Sequence, residues 1–147
     1  MKKSTRRKIT LTILALIIIF LIYSIIHTIT NKKTVVEKAE HITTKTTTGT
    51  DLPLTKNIKD LGIDVFKDDN IIEIVDEEYS KIEKVVTKVT VETNHSVEEI
   101  VNHYKEIYPQ SMTAYTDNST VIIAGESEQL IRFIISEGSY IIELEER

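Results

Sequence analysis

One stretch of this sequence constrains its folding more than any other. Residues 11–30 form a run of 20 with 15 apolar side chains and no formal charge. At about 1.5 Å per residue, a helix of that length crosses the roughly 30 Å hydrocarbon core of a bilayer. A helix also satisfies its own backbone hydrogen bonds, which lipid cannot do. The run predicts a transmembrane helix over residues 9–30. A cleaved signal peptide is the competing reading, because Lys2, Lys3, Arg6, Arg7 and Lys8 precede the run. Signal-peptide cores span about 7–15 apolar residues and lead into a small-x-small site. This run is longer and leaves through Ile25, Ile26, His27 and Ile29, so an uncleaved signal-anchor is expected. Its basic flank places tail 1–8 in the cytoplasm. The expectation is a single-pass cell-membrane protein, in contact with the lipid bilayer through residues 9–30, with an extracytoplasmic domain. His27 reads as an interfacial residue one turn beyond Tyr23.

Charge divides the chain at the same place. Residues 1–33 carry seven Lys/Arg and no acid, which leaves 11 basic and 23 acidic residues beyond them. So acidic a region repels phosphates, and no nucleic-acid partner is expected. The absence of cysteine removes disulfides, a thiol nucleophile and cysteine-ligated metals. Abundant isoleucine, and 14 lysines against 4 arginines, point to an AT-rich bacterial genome.

Residues 31–56 change character. Thr43, Thr44, Thr46, Thr47, Thr48 and Thr50 form a polar tract that cannot build a core alone, so a threonine-rich linker is expected. Thr34 and Glu37 have capping-box spacing, which gives the start of this segment a helical alternative.

Residues 57–147 read as one α+β domain. Segment 71–76 is a short strand candidate. In 84–93, Val85, Thr87, Val89 and Val91 alternate with Val86, Lys88, Thr90 and Glu92, the period of a half-buried strand. The period then switches. Ser96 and Glu99 make a capping box ahead of Val97, Ile100, Val101, Tyr104, Ile107 and Tyr108, which share a helical face that Pro109 ends. Strands are expected at 111–117, 120–124, 129–136 and 139–145, with tight turns at Asn118/Ser119 and Glu137/Gly138. Ile131, Phe133, Ile135, Tyr140, Ile142 and Leu144 should face the helix, each burial contributing about 1.5–3 kcal/mol. The predicted order is β-β-α-β-β-β-β, one helix packed on an antiparallel sheet.

Catalytic patterns are weak. The four glycines are dispersed, so there is no phosphate-binding loop. His95 and His103 stand eight residues apart, too far along a helix for a zinc pair, and His103 reads as a solvated helix-surface residue. Asp64, Asp68, Asp69 and Asn70 are oxygen-rich, but they lack the calcium-loop pattern and read as a solvated turn. Glu143 and Glu145 read as solvated charges on the outer face of the last strand. Arg132, between Ile131 and Phe133, is expected to pair across strands with Glu143. No catalytic residue, metal, cofactor or small-molecule ligand is expected. The leading expectation is a membrane-anchored, non-enzymatic binding or assembly module of the bacterial cell envelope. It would meet an envelope protein through Lys88, Glu92 and Arg132, a sheet edge or the helix surface. An inhibitor or immunity-type protein with a protruding hairpin near residues 117–120, and an anchored hydrolase with a concave pocket, are the alternatives.

Overall fold

The structure is a computed structural model that describes residues 17–20, 32–126 and 128–147, without the Glu126 side chain. The segment from Lys33 to Arg147 forms one compact unit. Its strands are β1 (Lys33–Ala39), β2 (Ile42–Thr48), β3 (Asn70–Tyr79), β4 (Lys84–Glu92), β5 (Met112–Tyr115), β6 (Thr120–Glu126), β7 (Gln129–Ser136) and β8 (Ser139–Glu146). Helix α1 (Lys56–Asp60) lies between β2 and β3, and α2 (Val97–Ile107) between β4 and β5. All eight strands form one antiparallel sheet, in the order β1-β2-β3-β4-β8-β7-β6-β5. Two four-stranded meanders therefore meet at β4 and β8, and α2 carries the chain from the centre to the far edge.

The membrane helix expected over residues 9–30 lies outside the described residues except for 17–20, which are helical. Among the described residues no helix is long and apolar enough to cross a membrane. The transmembrane anchor, the cell-membrane localisation and the two-sided topology therefore lose their support. The cell-envelope setting that depended on them goes with them.

The expected β-β-α-β-β-β-β order is also corrected. The sheet has eight strands instead of six, and a second short helix precedes β3. Both missed strands fall in the supposed linker. Thr34, Val35, Val36 and the threonines of β2 are β-branched, and such side chains suit a pleated strand better than a helix. The tract needs little apolar content because β3 supplies its backbone partners and only Thr47 is buried, opposite Ile74. The expected turn at Asn118/Ser119 becomes a four-residue loop, since Tyr115 pairs with Thr120. Thr116 closes it by donating from its backbone to the Ser119 carbonyl at 2.9 Å.

The core occupies one face of the sheet. Val89, Val91, Ile131, Phe133, Ile135, Tyr140, Ile142 and Leu144 point into it from β4, β7 and β8. The amphipathic face of α2 lies over β6 and β7, with Ile100 and Tyr104 fully buried. Ser96 and Glu99 close the capping box that starts α2. Residues 52–66 cover the rest through Leu52, Leu54, Ile58 and Ile63. Tyr104 stacks on Phe133 with ring centres 4.0 Å apart. Both covering segments share this face.

Candidate functional site

The opposite face of the sheet has no covering element among the described residues. Strand alternation places Lys84, Val86, Lys88, Thr90 and Glu92 of β4 there, beside Ile141, Glu143 and Glu145 of β8 and Leu130, Arg132 and Ile134 of β7. Lys88 pairs with Glu143, and Arg132 with Glu143, in the ladder register. A chain of charges results. Arg132 donates from Nη1 to Glu143 and from Nη2 to Glu145 at 3.0 Å. Lys88 Nζ stands 3.9 Å from Glu143 and 3.5 Å from Glu77 on β3. Glu77 in turn accepts from the Tyr79 hydroxyl at 2.9 Å, which raises the Tyr79 pKa. Lys84 and Arg147 close on Glu145 at 2.9 and 3.1 Å.

The expected Arg132–Glu143 contact is therefore present, but the two glutamates are not solvated charges. Glu143 and Glu145 retain only 9% and 7% of their accessible surface. Their oxygens are held by the charged ends of Arg132, Lys84, Lys88 and Arg147. The Lys84 ammonium, helped by Arg147 and Arg132, keeps the Glu145 carboxyl below its usual value despite burial. Of the three nominated residues, Lys88 and Arg132 join through Glu143. Glu92 stands apart, about 13 Å along β4 from Lys88. There it is exposed and accepts from the Asn70 amide at 3.4 Å. Ile134, Ile141, Val121 and Ile123, all partly exposed, flank the ladder on the β6–β8 side, and Met112 continues the strip to the β5 edge. The sequence signal for the missed members was available. Charges of opposite sign keep to one strand face, with Lys84 and Lys88 four residues apart and Glu143 and Glu145 two apart.

A second cluster joins the 62–69 loop to α2. The Phe66 ring stacks on His95 at 4.1 Å and leans on His103 at 4.7 Å. Each imidazole meets an aspartate of that loop, His95 with Asp68 at 3.0 Å and His103 with Asp64 at 3.3 Å. The Tyr104 hydroxyl donates to the Asp64 carbonyl at 3.1 Å, and Tyr140 donates to the Asp69 carboxylate at 2.6 Å. The turn expected to be solvated is thus pinned to the domain, and the two histidines are separated by a phenyl ring. Asp68, Asp69 and His95 bring three ligand atoms within 4.8 Å of one another, a set that could hold a divalent cation. As it stands the trio is an ion pair beside a tyrosine-held carboxylate, and the Asp68 side chain is 68% exposed. A cleft of about 590 Å³ opens beside the loop, lined by Leu52, Leu54, Phe66, Asp64, Asp69 and Lys67 among others. Its charged lining is Asp51, Asp64 and Asp69 with Lys59 and Lys67, and no serine, threonine or histidine is among the described residues that line it.

No protein family, curated protein or solved structure matches this chain.

Proposed function

We propose that this chain is a non-enzymatic protein-binding module whose partner meets the uncovered face of the sheet around Lys88 and Arg132. One observation carries the reading. Four basic side chains and three carboxylates are held in fixed positions on an uncovered face, beside a partly exposed apolar strip. Ion pairs anchored at both ends lose little side-chain freedom on association, and nearby apolar area supplies the drive. Arg132 and Lys88 each keep about a third of their side-chain surface exposed, enough for a second contact. The partner is a protein surface that presents a carboxylate to these two groups.

The test is crosslinking capture from native extract with the full-length chain, read by mass spectrometry. Lys88→Ala and Arg132→Ala should each lower recovery of a recurrent partner at least severalfold while leaving far-ultraviolet circular dichroism unchanged. Glu92→Ala, at the margin of the face, should lower it less. Unchanged recovery in all three variants would remove the uncovered-face reading. A second reading, an inhibitor-type protein, draws support from the loop at residues 116–119. Thr116 and Ser119 brace it through hydrogen bonds at 2.8–3.1 Å, as rigid inhibitory loops require. Capture that survives the face variants but is lost with Asp117→Ala and Asn118→Ala would favour it.

A further inference from the structure

The sheet has two edges, and they differ. β5 is short, with four residues, which limits what can pair with it. β1 has seven residues, each of them exposed. Its pairing with β2 runs without a bulge from Lys33 to Ala39, and it contains no proline. Among the described residues nothing pairs with its outer side. Its unpaired N–H and C=O groups are a template for one more strand.

We infer that β1 pairs with β1 of a second copy of this chain, antiparallel across a two-fold axis through Val35. The choice of occupant and register follows from the charges of the strand. A two-fold axis perpendicular to the sheet keeps the covered faces of both copies on the same side. It lets a residue pair only with one an even number of positions away, or with itself. Three such registers join five or more residues on each side. Centred on Glu37, the pairing sets two carboxylates face to face and is disfavoured. Centred on Val36, it brings no opposite charges together within the strand: Val35 faces Glu37, Thr34 faces Lys38, and Lys32 meets Glu40 only past the strand ends. Centred on Val35, it places Lys33 of each copy opposite Glu37 of the other, with Thr34 opposite Val36 and the two Val35 side chains in contact. Only this register satisfies both acids of the paired block. Lys38 of each copy stands opposite Lys32 of the other just past the ends of this five-residue block, where the two long side chains diverge into water. Val35 and Val36 are 39% and 54% exposed in the single chain, and both would be covered by the mate. The pairing uses the edge, not the uncovered face, so it stands or falls independently of the reading proposed above.

The chain has no cysteine, so a single introduced thiol reports its own contacts. In the full-length protein, Val35→Cys should form a disulfide-linked dimer under mild oxidation. Cβ atoms of directly opposed residues lie about 4.5–5.5 Å apart, within small adjustment of disulfide geometry. Val36→Cys should crosslink at least tenfold more slowly, and Ile82→Cys, in the exposed β3–β4 turn, sets the collision background. Adding Lys33→Glu to Val35→Cys should bring crosslinking down to that background. Adding Glu37→Lys as well should restore it, because the exchanged charges again face each other. Background crosslinking of Val35→Cys would overturn the pairing. Faster crosslinking through Val36, or a dimer indifferent to the charge exchange, would overturn it as stated.

Discussion

His95 shows how one side chain gains a role from its neighbours. It precedes the helix cap, where sequence offers it only water. The fold brings it the Phe66 ring and the Asp68 carboxylate. The hydrogen bond to Asp68, with Asp69 and Glu99 nearby, raises the His95 pKa above its usual 6.5 against the effect of partial burial. The same bond lowers the Asp68 pKa, so the carboxylate persists where the imidazole titrates. A raised folded-state value means that protonation favours the fold. This contribution is complete below the unfolded value and is lost as pH rises through the folded one. The His95 ring protons should therefore titrate by NMR with a midpoint above 6.5, and Asp68→Asn should move that midpoint down. A midpoint unmoved by the substitution would place the cause elsewhere. His103 has the same partner chemistry at 3.3 Å, with Asp64. The two pairs clasp the same phenyl ring, so loop 62–69 is held at two points.

At the scale of elements, hairpin turns decide whether the meanders close in register. Gly125 and Gly138 both have positive φ, 105° and 78°. They differ in their surroundings. A Cβ on Gly138 would meet nothing within 4 Å, whereas one on Gly125 would collide with the Gln129 carbonyl across the β6–β7 connection. Gly138→Ala should thus cost only backbone strain, about 1–3 kcal/mol. Gly125→Ala should cost more, because the backbone of the turn must move. Urea unfolding of both variants checks the order, and equal midpoints would contradict it. Residues 84–92 and 129–146 were legible as strands because their apolar positions alternate. β1 and β2 were not, since a threonine tract has the composition of a linker and its pairing with β3 is not a local property. The α2 helix was legible from its capping box and its 3.6-residue period, and both signals act within a few residues.

For the whole molecule, the ladder on the uncovered face ties β3, β4, β7 and β8 to the carboxyl-terminal Arg147. Its stability should depend on pH. The Glu145 carboxyl is held below its usual 4.5, chiefly by Lys84. A depressed folded value contributes stability above the unfolded pKa, and that contribution is lost as pH falls through the folded one. The urea midpoint should drop between about pH 5 and 3, and Glu145→Gln should flatten the drop. An equally steep decline in the variant would assign acid sensitivity to other carboxylates. Arg132→Ala leaves Glu145 with Lys84 and Arg147 but Glu143 with only the longer contact to Lys88 at 3.9 Å, so its cost should come chiefly from the weakened pairing of the largely buried Glu143.

Sequence by itself determined the strand periods of β4, β7 and β8, the capping box and apolar face of α2, and the asymmetry between a basic start and an acidic remainder. Each is a pattern that neighbouring residues impose on one another through backbone geometry or local charge. Tertiary structure alone decided that two threonine- and valine-rich strands extend the sheet. It also decided that Glu143 and Glu145 lie buried against cations, that Phe66 separates two histidines, and that among the described residues one face of the sheet is left without a cover. Those outcomes depend on which strand pairs with which, and the energy of that choice is spread over contacts between residues far apart in the chain.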